Sequence, residues 1–392
     1  MIPIPAKPAR NVFLLVFAHF SHDLCFGILP ALMPFIRDAM GLNYAQAGGL
    51  IAALTIPAGL SQFLGGWFGD RYRRRLLIIT GLGGVGLFTF VTGFLYSYGP
   101  LLAVFIVIGL FAGMFHPSGI VLLSDSVAST RRGRAISYFM VGGSIGYLVA
   151  PAIGGVIASQ FGWHAAFSLL ALPAITAAMA MALFLNSGES LQPARHAQAT
   201  PARPAVRWYL IIVISILSIV MEMASGASVA FFSLFLTDAR GFAALTATLG
   251  LALLRLGSLG GSLAGGQLVD RWGGLRTIIL SFAISGPMLL LVSYLASVPL
   301  FFTVLLFGIF YTMREVAVEA YLLKIIPERF RSRLMGIYFG FGMEGSSLLQ
   351  PVVGGAMDRF GITGVFSWLG MAASGISFLT PMLVLMGLRK KK

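Results

Sequence analysis

Charge is scarce in this chain. Asp, Glu, Lys and Arg make up only 10% of its 392 residues, against 58% hydrophobic residues. The mean hydropathy is +0.91. Soluble domains are about one-quarter charged, so an ordinary water-soluble globule is excluded. Cysteine is nearly absent: Cys25 stands alone, which excludes a disulfide framework or a cysteine-based metal site within one chain and reads as a small buried apolar residue. The glycine-rich stretch from Gly81 to Gly86 carries no lysine and lies inside an apolar run, so it does not cradle a nucleotide. There is no Ser-His-Asp or paired-cysteine arrangement, and the expectation is that the protein is not an enzyme.

What is present is length in apolar runs. Twelve stretches of about 20 residues have the length a helix needs to cross roughly 30 Å of hydrocarbon. They include 134–160, 163–185 and 208–236, and six fall in each half. Barrel strands would be about ten residues long with alternating polarity, so a membrane barrel is excluded. The halves repeat. Gly65-Gly66-Trp67-Phe68-Gly69-Asp70-Arg71-Tyr72 matches Gly265-Gly266-Gln267-Leu268-Val269-Asp270-Arg271-Trp272, and Gly146 to Gly155 matches Ser346 to Gly355 with Pro151 over Pro351. Repeats of this kind mark transporters and place the site between the halves. The expected fold is therefore an all-α membrane protein of twelve transmembrane helices in two pseudo-symmetric six-helix bundles. The bundles are 1–185 and 208–392, and the cytoplasmic linker is 186–207, rich in Ala, Pro, Arg and Ser.

The formal net charge of +14 points to membrane topology rather than nucleic acid. With both termini cytoplasmic, the inner segments hold 22 Lys and Arg and the outer loops only Arg37, Arg240 and Arg359, as the positive-inside rule requires. The first apolar run is too long for a secretion signal and contains His19, His22 and Asp23, so it reads as a spanning helix.

The segment from Gly66 through Asp70 and Arg71 to Arg74 and Arg75 resembles the signature between helices 2 and 3 of the major facilitator superfamily. The likeness extends over the whole chain through the second copy at Asp270-Arg271 and the basic linker. An acid at a membrane boundary accepts hydrogen bonds from a helix N-terminus, and nearby arginines reach carboxylates. Gly66, Asp70, Arg71, Arg74, Asp270 and Arg271 are thus expected to gate the carrier, with Asp125 as a partner for Arg71 or Arg74. Gly146, Ala150, Pro151, Gly154 and Gly155 are similar to the family's antiporter pattern, with Ala150 where glycine is usual. Small residues permit close helix approach there, and proline permits a bend. Phe115-His116-Pro117 and the stretch from Phe139 to Gly146 look like the fosmidomycin-resistance branch, which implies proton-driven efflux. The helix-4 arginine of many proton-coupled exporters is absent, Phe105 lying near its place. Coupling must then use other groups.

A charge at mid-bilayer is costly, so ionisable residues inside spans are functional candidates. They are His19, His22 and Asp23 on helix 1, His116 on helix 4, Glu222 on helix 7, Arg255 on helix 8, Arg314, Glu315 and Glu319 on helix 10, and Glu344 on helix 11. In the family, helices 1, 4, 7 and 10 line the central cavity. His22 repeats as Glu222 and His116 as Glu315. The spacing 19, 22, 23 shares one helical face, as do Tyr311, Glu315 and Glu319. These groups either carry the proton or substrate, or form static pairs; Arg314 either neutralises its neighbour Glu315 or binds an anion. Glu222 has no base within its own helix. Arg255 and Glu344 are expected to form a gating or structural pair. The three helix-1 residues could hold a metal on one face, but further ligands do not cluster in sequence, so neither metal nor cofactor is expected. The expected function is proton-coupled efflux of a small organic compound or drug by an inner-membrane monomer. Its partners would be substrate, protons and lipid, with no nucleic acid. Uptake of an organic anion, and a non-transporting receptor or assembly factor, are the alternatives.

Overall fold

A computed structural model describes residues 7–71, 74–128, 131–185, 208–327, 334–335, 337–338, 341 and 345–389, without the side chains at 7–9, 63–71, 117, 125, 132–133 and 388–389. Among the described residues the regular structure is helical. In the hydrocarbon no water is available to hydrogen-bond an open backbone, and a helix satisfies its own groups. The first five helices are α1 (Lys7–Met40), α2 (Tyr44–Arg71), α3 (Arg74–Thr92), α4 (Tyr98–Asp125) and α5 (Arg132–Phe184). They are followed by α6 (Trp208–Ala230), α7 (Phe232–Asp238), α8 (Ala244–Trp272), α9 (Gly274–Val292), α10 (Ser297–Ile325), α11 (Gly345–Phe360) and α12 (Ile362–Arg389).

Two of these elements do not equal one span each. The 53 residues of α5 would run about 80 Å as one straight helix. The chain reverses instead at Gly162, whose φ of 83° favours glycine, so spans 132–161 and 163–184 share a one-residue turn. The expected stretch 208–236 is broken at Phe231 into α6 and the short α7. Just before the break, Ser228 Oγ donates to the Ala224 carbonyl at 2.9 Å, a back-bond that bends helices. Counted this way, the described helices account for twelve spans.

The chain divides into two compact units. The first comprises Met1–Gly188, Ala230–Ala252 and Gln350–Asp358; the second comprises Glu189–Val229, Leu253–Leu349 and Arg359–Lys392. In the first, α1 packs on the 132–161 span through glycines. A Cβ at Gly146 would lie 2.8 Å from the Leu24 nitrogen and against the Phe20 carbonyl, and one at Gly142 would lie 2.8 Å from the Val16 carbonyl.

The sequence repeat reappears as a repeated contact inside each unit. In the first, Gly109 of α4 sits on α2, where a Cβ would meet the Leu54 carbonyl and lie 3.1 Å from the Ala58 nitrogen. In the second, Gly308 of α10 sits on α8, where a Cβ would meet the Leu254 carbonyl and lie 3.1 Å from the Ser258 nitrogen. Glycine is needed at both because two backbones touch there.

Candidate functional site

Three imidazoles surround one carboxylate in the first unit. His19 and Asp23 are one helical turn apart on α1, and His19 Nε2 lies 3.2 Å from Asp23 Oδ2. His22 Nδ1 lies 2.8 Å from Asp23 Oδ1, and His116 Nε2, from α4, lies 3.7 Å from the same oxygen. His19, His22 and Asp23 are buried, and the His116 side chain is 30% exposed. The His19 ring stacks on Phe139 with centroids 4.0 Å apart, and the His22 ring stacks on Phe115 at 5.0 Å.

Donors and acceptors can be counted here. The Phe139 carbonyl, 2.7 Å from His19 Nδ1, can only accept, so Nδ1 carries hydrogen. In a neutral ring Nε2 would then present a lone pair to a carboxylate oxygen. Two acceptors at 3.2 Å need a cation between or upon them. Space at this point is kept by Gly143, where a Cβ would lie 2.6 Å from His19 Nε2 and against Asp23 Oδ2.

The second unit holds a cluster of different make-up, carboxylates around one guanidinium. Arg314 of α10 is fully buried. Its Nη2 lies 2.6 Å from Glu222 Oε2, and its Nη1 donates to the Ser218 carbonyl at 3.4 Å. Tyr311 donates its hydroxyl to Glu222 Oε1 at 2.7 Å. The guanidinium lies 5.4 Å from the Tyr311 ring centre and 5.6 Å from that of Phe282, a weak cation–π setting. Glu315 Oε1 stands 4.0 Å from Arg314. Glu319 follows one turn later on the same helix. Of the two expected roles of Arg314, pairing with an acid or binding an anion, the geometry shows acids: the buried guanidinium turns across to α6 and engages Glu222, and Glu315 stands at its edge.

The residues expected to gate are placed unevenly. Gly66, Asp70 and Arg71 lie in the last turns of α2, and Asp125 ends α4, with their side chains outside the described residues. Arg74 opens α3. Asp270 and Arg271 are exposed at the end of α8, and Arg255 is half-buried on the same helix. Glu344 lies outside the described residues. Gly146 and Gly154 both sit in tight packing, although a Cβ at Gly154 would meet only side-chain ends, Leu170 Cδ1 at 3.2 Å and Leu32 Cδ2 at 3.8 Å. Gly155 packs on Thr248, and Pro151 lies within α5.

One polar group escaped the sequence reading. In the first unit Arg37, near the end of α1, pairs with Asp238 at the end of α7. Arg37 also lies 4.3 Å from the centre of the Tyr44 ring, and the Tyr44 hydroxyl donates to Asp238 Oδ2 at 2.5 Å. Asp358 accepts from the Tyr44 and Ala45 N–H groups at 2.8 and 2.9 Å, capping the positive end of α2. Asp38 and Asp238 occupy the same position in the repeat, a signal that was available. The pairing itself had none.

A family model described as Major Facilitator Superfamily matches residues 15–279 and 214–392. The chain is 24% identical over 360 residues to the fosmidomycin resistance protein of Escherichia coli, covering 89% of this chain and 86% of that one. It is 26% identical over 376 residues to the multi-drug resistance efflux pump PmrA of Streptococcus pneumoniae, covering 91% of each. Among solved structures, a bacterial homolog of the human lysosomal transporter Spinster shares the fold at a TM-score of 0.75 and 14% identity, over 99% of this chain and 98% of that one. The nucleoside transporter NupG does so at 0.78 and 13%, over 95% and 99%. A repeat of spanning helices, a family model laid across both copies and a fold shared with solved carriers lead to one conclusion: the chain belongs to the major facilitator superfamily of membrane transporters.

Proposed function

We propose that the protein exports a small organic compound in exchange for protons, by alternating access of two six-helix halves, 1–185 and 208–392, joined by the linker 186–207. The coupling rests on one observation. Glu222 and Glu315 share the Arg314 guanidinium, which Glu222 takes at 2.6 Å while Glu315 stands 4.0 Å away, and a third acid, Glu319, follows one turn later on α10. Surplus negative charge in a membrane interior is costly, and uptake of a proton removes it. Export is supported by the relatives named for fosmidomycin resistance and multi-drug efflux. Uptake of an organic anion has less support, because the Arg314 fork is already engaged by Glu222.

In this reading the carrier lies in the inner membrane as a monomer, with both termini on the basic, cytoplasmic side. Asp70, Arg71, Arg74, Asp125, Asp270 and Arg271 gate that side. The Arg37–Asp238 pair and the Asp358 cap hold the other.

Metabolites and antibiotics are screened for thermal stabilisation of the purified protein, and hits are tested for counterflow in liposomes. Under an imposed pH gradient, Glu315→Gln should abolish net substrate accumulation while leaving substrate exchange intact. Full pH-driven transport by Glu222→Gln, Glu315→Gln and Glu319→Gln alike would overturn proton coupling at this cluster.

A further inference from the structure

The first unit's cluster has the donor set of a metal site. His19 Nε2, His116 Nε2 and a carboxylate oxygen of Asp23 all lie within 4.8 Å of one another. A zinc-class ion with ligands at about 2.1 Å in tetrahedral array holds them about 3.4 Å apart. The observed separations are 3.2 Å from His19 Nε2 to Asp23 Oδ2 and 3.7 Å from His116 Nε2 to Asp23 Oδ1, each within a few tenths of an ångström of that value, so each imidazole faces its own oxygen of the one carboxylate. We propose that His19, Asp23 and His116 bind one divalent transition-metal ion of the zinc class.

Four features beyond proximity support this. His19 and Asp23 stand at i and i+4 on one face of α1, a rigid chelate spacing. The Phe139 carbonyl fixes the His19 tautomer by accepting from Nδ1, which turns the Nε2 lone pair toward Asp23; a second shell of this kind orients metal-binding histidines. His22 supports Asp23 at Oδ1, the oxygen that also faces His116, at 2.8 Å, and its own buried Nε2 has no hydrogen-bond partner. Gly143 leaves the space between His19 and Asp23 open, where any Cβ would intrude. Two imidazoles and one carboxylate favour zinc, cobalt or nickel over magnesium or calcium. Three protein ligands leave a fourth position open, toward the partly exposed His116.

The test uses the full-length protein, purified through a histidine-free tag, stripped with chelator and titrated separately with Zn2+ and with Co2+. We expect one zinc per chain after desalting and the visible absorption of cobalt in a low-symmetry nitrogen and oxygen site. Asp23→Asn and His116→Gln should each weaken binding roughly tenfold or more, and His164→Gln, at a histidine remote from the cluster, should leave it unchanged. Gly143→Ala keeps every ligand but fills the space, and it should also lose the ion. It decides the matter if Asp23→Asn fails to fold. A wild-type protein that holds no zinc, or variants that hold as much as wild type, would overturn the site. Neither result bears on the proton-driven accumulation assay, which is run without metal and turns on the second unit's acids.

Discussion

In the second unit the positive charge beside the half-buried carboxylates is part of the chain: Arg314, fully buried, 2.6 Å from Glu222. In the first unit Asp23 has three imidazoles around it and, among the described residues, no arginine or lysine within ion-pair distance, so a positive charge there would come from outside as a proton or an ion. The repeat makes the contrast sharp. Corresponding positions hold His22 and Glu222, and His116 and Glu315, while the glycine contacts at Gly109 and Gly308 are the same in both copies. The backbone scaffold has been kept, and the charges set into it have been reversed. A built-in cation makes the Arg314–Glu222 pair a matter of folding and leaves only the acids beside it to take up protons. A cluster with no built-in cation depends on the surroundings for all of its positive charge.

The largest effect that would break this comparison is at Arg314. Arg314→Met leaves Glu222 without its cation and should lower stability by about 3 to 5 kcal/mol, whereas Arg314→Met with Glu222→Gln should recover most of it. Denaturant midpoints in detergent measure both, and simple addition of the two single losses would show that the pair is not coupled. Next is Gly146→Leu, which forces a side chain between α1 and α5 and should cost about 1 to 3 kcal/mol. The loss should exceed that of Gly154→Leu, where the neighbours are flexible leucine ends; equal membrane yields of the two variants would contradict this order.

Asp23→Asn sharpens the contrast from the other side. It removes the carboxylate's charge and with it the need for a borrowed cation, so the cost should be only about 1 kcal/mol. A loss as large as that of Arg314→Met would mean that both clusters are structural ion pairs. The smallest effect is expected at Asp238→Asn. Its pair with Arg37 is partly exposed, so stability should change by about 0.2 to 1 kcal/mol. Distances between spin labels at the ends of α1 and α7 should nevertheless lengthen, and unchanged distances would remove the pair from the gating scheme.

Much of the fold was legible because hydrophobic length and repetition are local or periodic signals. The twelve spans and the small-residue contacts of helix 5 follow from them, and Gly162 falls between two expected stretches. The break at Phe231 was not legible, since α6 and α7 read as one apolar run. The ionisable residues inside the spans were legible as a set, and His19, His22 and Asp23 as one face, but partners on different helices were not. His116 reaches Asp23 from another helix, and Arg314 passes over its neighbour Glu315 to reach Glu222. The Phe139 carbonyl, which fixes the His19 ring, leaves no mark on side-chain chemistry. Arg37 was visible as an outer charge, yet nothing in spacing joins it to Asp238, so far along the chain.

The one-residue turn at Gly162 has a mechanical consequence. The span before it carries Gly143 and Gly146 against the His19 and Asp23 face of α1. The span after it carries Ala174 and Ile175 against Gly86 of α3, where a Cβ would lie 3.1 and 2.9 Å from them. With no slack between the two spans, a single pivot joins the α1 contact to the α3 contact, so a displacement of α1 at the imidazoles would be felt at α3.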